Sequence, residues 1–313
     1  MYPKTVVTAY LLLALPTWVA SQPAQPLATE NTRAPRASLT GEIAPLQLQP
    51  WPARVLITND DGIDAPGLSA LVQAFSPTAD IVVVAPTDNR SGSTSYASIL
   101  SRQVEVETRH VAGAGTAYAV DGYPADCVLI ALTGLMVDDP PDLVISGINT
   151  GANVGDAWAY SGTLGAARIS ALHGIPAIAV SGGAPDALAA LAVWVVQLAH
   201  TTVVRELEPF QYLTVDAPDV PLADIKGVSV VPRARRVMSF GARLSTQVSG
   251  SRDVWVRSRG NRQPAPPGTD VDVLADGRIA ITTMKADEQD LGLLREIQER
   301  VNELPTWGPS EQE

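Results

Sequence analysis

Two adjacent aspartates, Asp60 and Asp61, stand between Asn59 and Gly62 at the end of a short apolar run, Val55-Leu56-Ile57. Neighbouring residues inside a strand point to opposite faces, so two adjacent carboxylates reach one ion only where the strand stops and the backbone turns; Gly62 permits that turn. The same residues also suit an ordinary surface turn, because Asn, Asp and Gly are common turn formers. Two further apolar runs end in the same way. Ile81 to Ala85 leads into Pro86-Thr87-Asp88-Asn89-Arg90-Ser91-Gly92-Ser93, and Leu143 to Ile145 leads into Ser146-Gly147-Ile148-Asn149. Three adjacent strand ends would present Asp60, Asp61, Ser91 and Asn149 to a common point. All four are oxygen donors, and two carboxylates without thiolate or imidazole favour a hard divalent cation, Mg²⁺ or Mn²⁺, over structural zinc. Ser91 could equally cap its own loop, and Asn149 could occupy a left-handed turn.

The segment Tyr160-Ser161-Gly162-Thr163-Leu164-Gly165-Ala166-Ala167 reads as a loop entering a helix. Helix N-termini offer free amides and a favourable dipole to anions, so Ser161, Gly162 and Thr163, with Asn153 nearby, are candidates for holding phosphate oxygens. Plain N-capping by Ser161 or Thr163 is compatible with that role. Together these residues suit phosphoester hydrolysis: one divalent ion on Asp60, Asp61, Ser91 and Asn149 would bind a phosphate oxygen and activate a water for in-line attack. Asp60, Asp61 and Asn149 carry the catalytic assignment, with an aspartate acting as covalent nucleophile as the alternative. Arg90 is either an additional phosphate clamp or a solvated loop arginine.

These residues need a scaffold that brings strand ends together. The runs at 55–57, 81–84, 143–145 and 177–180 are continuously apolar, as suits strands buried on both faces, and helix-period segments follow them. The pattern predicts an α/β fold, a three-layer doubly wound Rossmann-like sheet, and ligands of such sheets bind at the carboxyl ends of the strands. After the first strand, Asp64 is placed to cap a helix carrying Pro66 in its first turn. Beyond Lys226 the texture shifts to short strands, read as a β-hairpin extension over about 228–285, and Leu291, Leu294, Ile297 and Val301 mark a terminal helix. One domain is expected over 51–305, with a loose tail at 306–313.

With 46% hydrophobic residues among 313, the chain has ample core, and its net charge of −11 argues against a sequence-independent grip on a nucleic-acid duplex. The single cysteine, Cys127, excludes an intramolecular disulfide and reads as a small buried thiol. His110, His173 and His200 lie away from the strand ends and read as structural or surface residues. Residues 1–21 combine Lys4, an apolar run and small residues at Ala20-Ser21, the pattern of a cleavable secretory signal. The run is shorter than a spanning helix, so no stable membrane anchor is expected. A Pro-rich linker follows at 22–50. Export to a bacterial periplasm or the medium is the expectation, with a cytoplasmic location as the alternative.

The order of Asn59-Asp60-Asp61-Gly62, Val84-Ala85-Pro86 into Arg90-Ser91-Gly92, Val120-Asp121-Gly122-Tyr123-Pro124, Ser146-Gly147-Ile148-Asn149 and Tyr160-Ser161-Gly162-Thr163 resembles the SurE family. The likeness continues through Gly174-Ile175-Pro176 to Gly268-Thr269-Asp270, covering roughly residues 54–285. The resemblance implies a metal-dependent nucleotidase acting on 5′- and 3′-nucleoside monophosphates, with Asp60, Asp61, Ser91 and Asn149 on the metal. It also implies a homodimer or homotetramer made partly by exchange of the C-terminal hairpin. A broad phosphatase or exopolyphosphatase, or a non-catalytic metal- and phosphate-binding oligomer, are the alternatives. Two positions depart from the family pattern: Asp156 stands one residue early and is followed by Ala157, and Ile169 replaces a glutamate.

Overall fold

The computed structural model describes residues 51–235, 240–245, 255–259 and 264–301. The segments read as signal, linker and tail lie outside these residues. The strands are β1 (Arg54–Thr58), β2 (Asp80–Pro86), β3 (Val106–Arg109), β4 (Thr116–Val120), β5 (Leu143–Asn149), β6 (Ala177–Gly182), β7 (Gln211–Ala217), β8 (Val228–Val230), β9 (Phe240–Leu244), β10 (Trp255–Arg259) and β11 (Ile279–Lys285). The helices are α1 (Pro66–Phe75), α2 (Pro124–Ile130), α3 (Gly162–Leu172), α4 (Leu188–Ala199), α5 (Thr202–Arg205), α6 (Asp270–Ala275) and α7 (Leu291–Glu299).

Successive residues of β1 show why the sheet is central. Val55, Leu56 and Ile57 are all fully buried, yet they face opposite ways. Val55 and Ile57 join the core that holds Leu68, Leu71 and Val72 of α1 and Leu191 and Val195 of α4. Leu56 joins the core that holds Cys127 and Ile130 of α2 and Leu164 and Ala167 of α3. A continuous apolar run is what a strand covered on both faces requires, and each such side chain contributes ~1.5–3 kcal/mol on burial.

The order of the large sheet is β3-β4-β2-β1-β5-β6-β7-β11-β8. From β4 through β7 the neighbours pair in parallel, whereas β3 and β11 run antiparallel to β4 and β7. The chain leaves β1 toward β2 on one side and returns to β5 on the other. That reversal opens a crevice at the carboxyl ends of β1, β2 and β5, the place where doubly wound sheets bind ligands. The expected α/β architecture is therefore the observed one.

Two local expectations need correction. Asp64 does not cap α1: the N-cap is Ala65, Pro66 begins the helix, and the Asp64 carboxylate pairs instead with Arg109 at 3.2 Å. The hairpin extension is narrower than 228–285, because β8 and β11 belong to the large sheet. Ile279, Ala280 and Ile281 are buried and β11 is registered along β7, which leaves β9 and β10 as the separate antiparallel ribbon. The terminal helix is present as α7, with Leu291, Leu293 and Ile297 exposed. His173 and His200 have structural partners, each ring Nδ1 lying 2.8–2.9 Å from a backbone carbonyl oxygen, of Ile169 and Trp51 respectively. Cys127 is buried, and burial pushes its thiol well above its ordinary pKa, so it stays protonated and inert. Among the described residues no helix is long and apolar enough to cross a membrane.

Candidate active site

The turn after β1 is locked from within. Asn59 is fully buried; its Nδ2 donates to the Gly62 carbonyl at 2.8 Å and its Oδ1 accepts the Gly62 N–H at 3.3 Å. Gly62 has φ of +106°, a left-handed conformation that disfavours any side chain. This turn points the two aspartates into different surroundings. Asp60 is 3% exposed and its Oδ1 accepts a 2.6 Å hydrogen bond from Thr163 Oγ1. Burial pushes its pKa up, hydrogen bonds from Thr163 oppose that, and the neighbouring Asp61 charge adds to the rise. Asp61 Oδ1 accepts from Asn89 Nδ2 at 2.9 Å, while Oδ2 accepts the Thr150 N–H at 2.9 Å and its hydroxyl at 3.0 Å. Each loop that follows a neighbouring strand therefore holds Asp61.

The loop after β2 is tied to the same turn, the Arg90 N–H donating to the Asp60 carbonyl at 2.7 Å. Asn89 Oδ1 accepts the Ser91 N–H at 3.0 Å, so one asparagine orients both Asp61 and Ser91. The Arg90 guanidinium does not line the site cavity. It pairs with Asp121 at 3.0 Å and lies 5.4 Å over the Tyr123 ring, anchored away from the cavity. At the end of β5, Asn149 Nδ2 donates to the Gly151 carbonyl, forming a tight polar turn.

One cavity of about 950 Å³ collects Asp60, Asp61, Ser91, Asn149, Asn153 and Ser161. Gly241 and Ala242 of β9 also line it, so the ribbon contributes a wall. Gly162 and Thr163 do not line the cavity; they stand behind Asp60. Ser161 caps α3 by accepting the Leu164 N–H at 3.2 Å. A Cβ on Gly162 would lie 2.6 Å from Ser93 Oγ and 3.0 Å from Asp60 Oδ2. The residue is glycine because the helix end is pressed against the carboxylate.

Sequence reasoning missed the residues that hold this arrangement. Asn89 lies within the run that leads to Ser91 and Thr150 directly follows Asn149, and residue type alone gives neither a role. Asp216 and Asp270, both 3% exposed, clamp the loop after β5: Asp216 Oδ1 accepts the Asn153 N–H at 2.6 Å, and Asp270 Oδ2 accepts the Gly155 N–H at 2.9 Å. A carboxylate closing an apolar strand, as in Leu213-Thr214-Val215-Asp216, is the signal that could have found the first.

Asp216 also makes a stability prediction. Burial is the main cause raising its pKa from 3.8 to about 7; the Asn153 N–H opposes the rise and the Asp270 charge adds to it. The folded protein thus keeps a proton that the unfolded chain releases at lower pH. The contribution is fully present below the ordinary carboxylate pKa and is lost as pH rises to about 7, a span worth on the order of 4 kcal/mol. Asp216→Asn should therefore raise stability relative to wild type more at about pH 8 than at about pH 4, as read by urea denaturation at both values.

The donor set fits a divalent cation. Asp60 and Asp61 repel one another, and among the described residues the charge acting appreciably on buried Asp60 is that of Asp61. Among the described residues no group of three or more His, Cys, Asp or Glu forms an alternative metal site. Two carboxylates completed by the neutral oxygens of Ser91 and Asn149 therefore match a hard ion rather than zinc.

Similar proteins share both the sequence and the frame. The family described as Survival protein SurE matches residues 55–239. A relative from Methylobacillus flagellatus named 5′-nucleotidase SurE is 41% identical over 236 residues, covering 75% of this chain and 93% of the relative. The crystal structure of SurE protein from Aquifex aeolicus superimposes with a TM-score of 0.65 at 28% identity, covering 79% of this chain and 99% of that one. The family match takes in β1, β2 and β5 with all the strand-end residues that line the cavity, and on this ground the chain belongs to the SurE family.

Proposed function

We propose that the protein is a divalent-metal-dependent 5′-nucleotidase, hydrolysing nucleoside monophosphates to nucleoside and phosphate, with 3′-monophosphates also accepted. The observation that carries this reading is the convergence of Asp60, Asp61, Ser91 and Asn149 on one cavity at the reversal point of the sheet. The name of the Methylobacillus relative supports a nucleotide as the substrate class.

Asp60, Asp61, Ser91 and Asn149 would hold one Mn²⁺ or Mg²⁺ ion, which supplies Lewis-acid polarisation of the phosphoryl group and a water of lowered pKa. The chain's own residues do the rest. Thr163 fixes the Asp60 carboxylate, while Asn89 and Thr150 fix Asp61, so the site is organised before substrate arrives. Asn153 and Ser161 line the same cavity and would donate to phosphoryl oxygens, which gain charge as the ester bond breaks. Gly241 and Ala242 form part of the wall of that cavity.

Exhaustive chelation is expected to silence hydrolysis of AMP, with Mn²⁺ or Mg²⁺ restoring it better than Zn²⁺. Full activity after chelation would overturn metal dependence, and inactivity of the metal-restored protein on a panel of nucleoside monophosphates would overturn the nucleotidase reading.

The exposed apolar residues Leu291, Leu293, Leu294 and Ile297 of α7 support a homodimer or homotetramer. The Lys4-led apolar segment supports export, which sequencing of the mature N-terminus tests.

A further inference from the structure

Asn153 is gripped at two points by neighbouring strands. Ser181 of β6 and Asp216 of β7 are directly paired in the parallel register. Asp216 Oδ1 accepts the Asn153 backbone N–H at 2.6 Å, and Ser181 Oγ accepts from Asn153 Nδ2 at 2.8 Å. Both strand residues are almost fully buried, and Asn153 lines the candidate active-site cavity. An amide nitrogen has two hydrogens, so the bond to Ser181 leaves the second for an oxygen in the cavity. The neighbouring Gly155 N–H is held by Asp270, which also accepts from Ala234 at 2.7 Å and so belongs to a separate, well-satisfied anchor.

We infer that Asp216 is a positioning residue for phosphate binding: with Ser181 it sets Asn153 so that its carboxamide donates to a phosphoryl oxygen in the cavity. This rests on the phosphatase reading of that cavity. The carboxylate does not itself line the cavity, and it acts through the loop at Asn153. A hydrogen bond to an ionised acceptor is stronger than one to a neutral acceptor, so the grip on Asn153 tightens when Asp216 loses its proton. Among the described residues, Asp270, from α6, is the titratable group whose charge acts appreciably on Asp216; burial of the site, and then the Asp270 repulsion, bring that proton loss to about pH 7. Ser181, the other partner of Asn153, does not titrate in this range.

The test compares the full chain, loaded with Mg²⁺, with D216N and S181A. Wild type is expected to show kcat/KM for AMP rising with pH through neutrality. D216N should lack that rise and should lose about tenfold at the alkaline plateau, mostly through KM, while retaining its fold and Mg²⁺ affinity. S181A should lower the plateau and keep the rise. Two readouts do not depend on turnover. The Asn153 amide signal in ¹⁵N–¹H spectra should shift with pH in wild type and stay fixed in D216N, and inorganic phosphate should bind D216N about tenfold more weakly. If these two hold in a protein that hydrolyses no nucleotide, the nucleotidase reading fails and the positioning role stands. An Asn153 signal insensitive to pH, or phosphate affinity unchanged in D216N, sinks the positioning role even if the nucleotidase reading survives.

Discussion

Asp60→Asn is expected to reduce turnover by ~1,000-fold or more while making the metal-free protein more stable. Both effects follow from one environment. The carboxylate is 3% exposed and its pKa is raised by burial, so its ionised form carries a desolvation cost that a bound cation would offset. A neutral amide of the same shape removes that penalty and can still accept the 2.6 Å hydrogen bond from Thr163. It cannot supply the charge that holds a divalent ion. Asp61→Asn should lose activity to a similar degree without the gain in stability, because its two oxygens already accept three hydrogen bonds from Asn89 and Thr150. Steady-state kinetics with AMP, Mn²⁺ titration and thermal melts of the metal-free proteins check all three outcomes. An Asp60→Asn protein that keeps wild-type kcat and Mn²⁺ affinity would place the chemistry elsewhere.

Gly162→Ala should be nearly as damaging to activity, though it adds one methyl group to a residue outside the cavity. The added carbon would sit 2.6 Å from Ser93 Oγ, 2.9 Å from Asp60 Cβ and 3.0 Å from Asp60 Oδ2. Ser93 is half-buried with its hydroxyl oxygen buried and unpartnered, so it has little room to turn aside, and Asp60 is fixed by Thr163 on the next residue of the same helix. Relief therefore requires α3 and the turn after β1 to separate. A displacement of this size at the Asp60 carboxylate is expected to lower kcat ~100-fold, with a destabilisation of ~1–3 kcal/mol from overpacking. Ala at 163 offers a contrast: Thr163→Ala leaves room but removes the hydrogen bond, so it should weaken metal binding without the steric loss of stability. If Gly162→Ala retains wild-type kcat, the contact between α3 and Asp60 is not what holds the site.

Asp60, Asp61, Ser91 and Asn149 were legible in the sequence because each follows an apolar run, and a run buried on both faces ends where a doubly wound sheet binds ligands. The same logic exposed the strand order only in outline. Gly162 and Thr163 are legible as a helix start and hence as phosphate candidates, whereas their contact with Asp60, a hydrogen bond from Thr163 and close approach at Gly162, is set only by packing. Arg90 was ambiguous for a related reason. Its charge suits a phosphate, but its partners Asp121 and Tyr123 lie in the connection between β4 and α2, and nothing local to Arg90 in the sequence reveals them.

What the sequence by itself determined was the set of oxygen donors, the burial of the strands that carry them, and the absence of an intramolecular disulfide. These depend on residue type and on short-range periodicity, which act within a strand or a turn. Only the tertiary structure decided which donors face the cavity and what holds them there. Thr163 reaches Asp60 across 103 positions, Thr150 reaches Asp61 across 89, and Asp216 reaches Asn153 across 63. Such contacts form because parallel strands bring distant loops to one edge of the sheet, and a carboxylate's partner there is set by register and packing rather than by its neighbours in the chain.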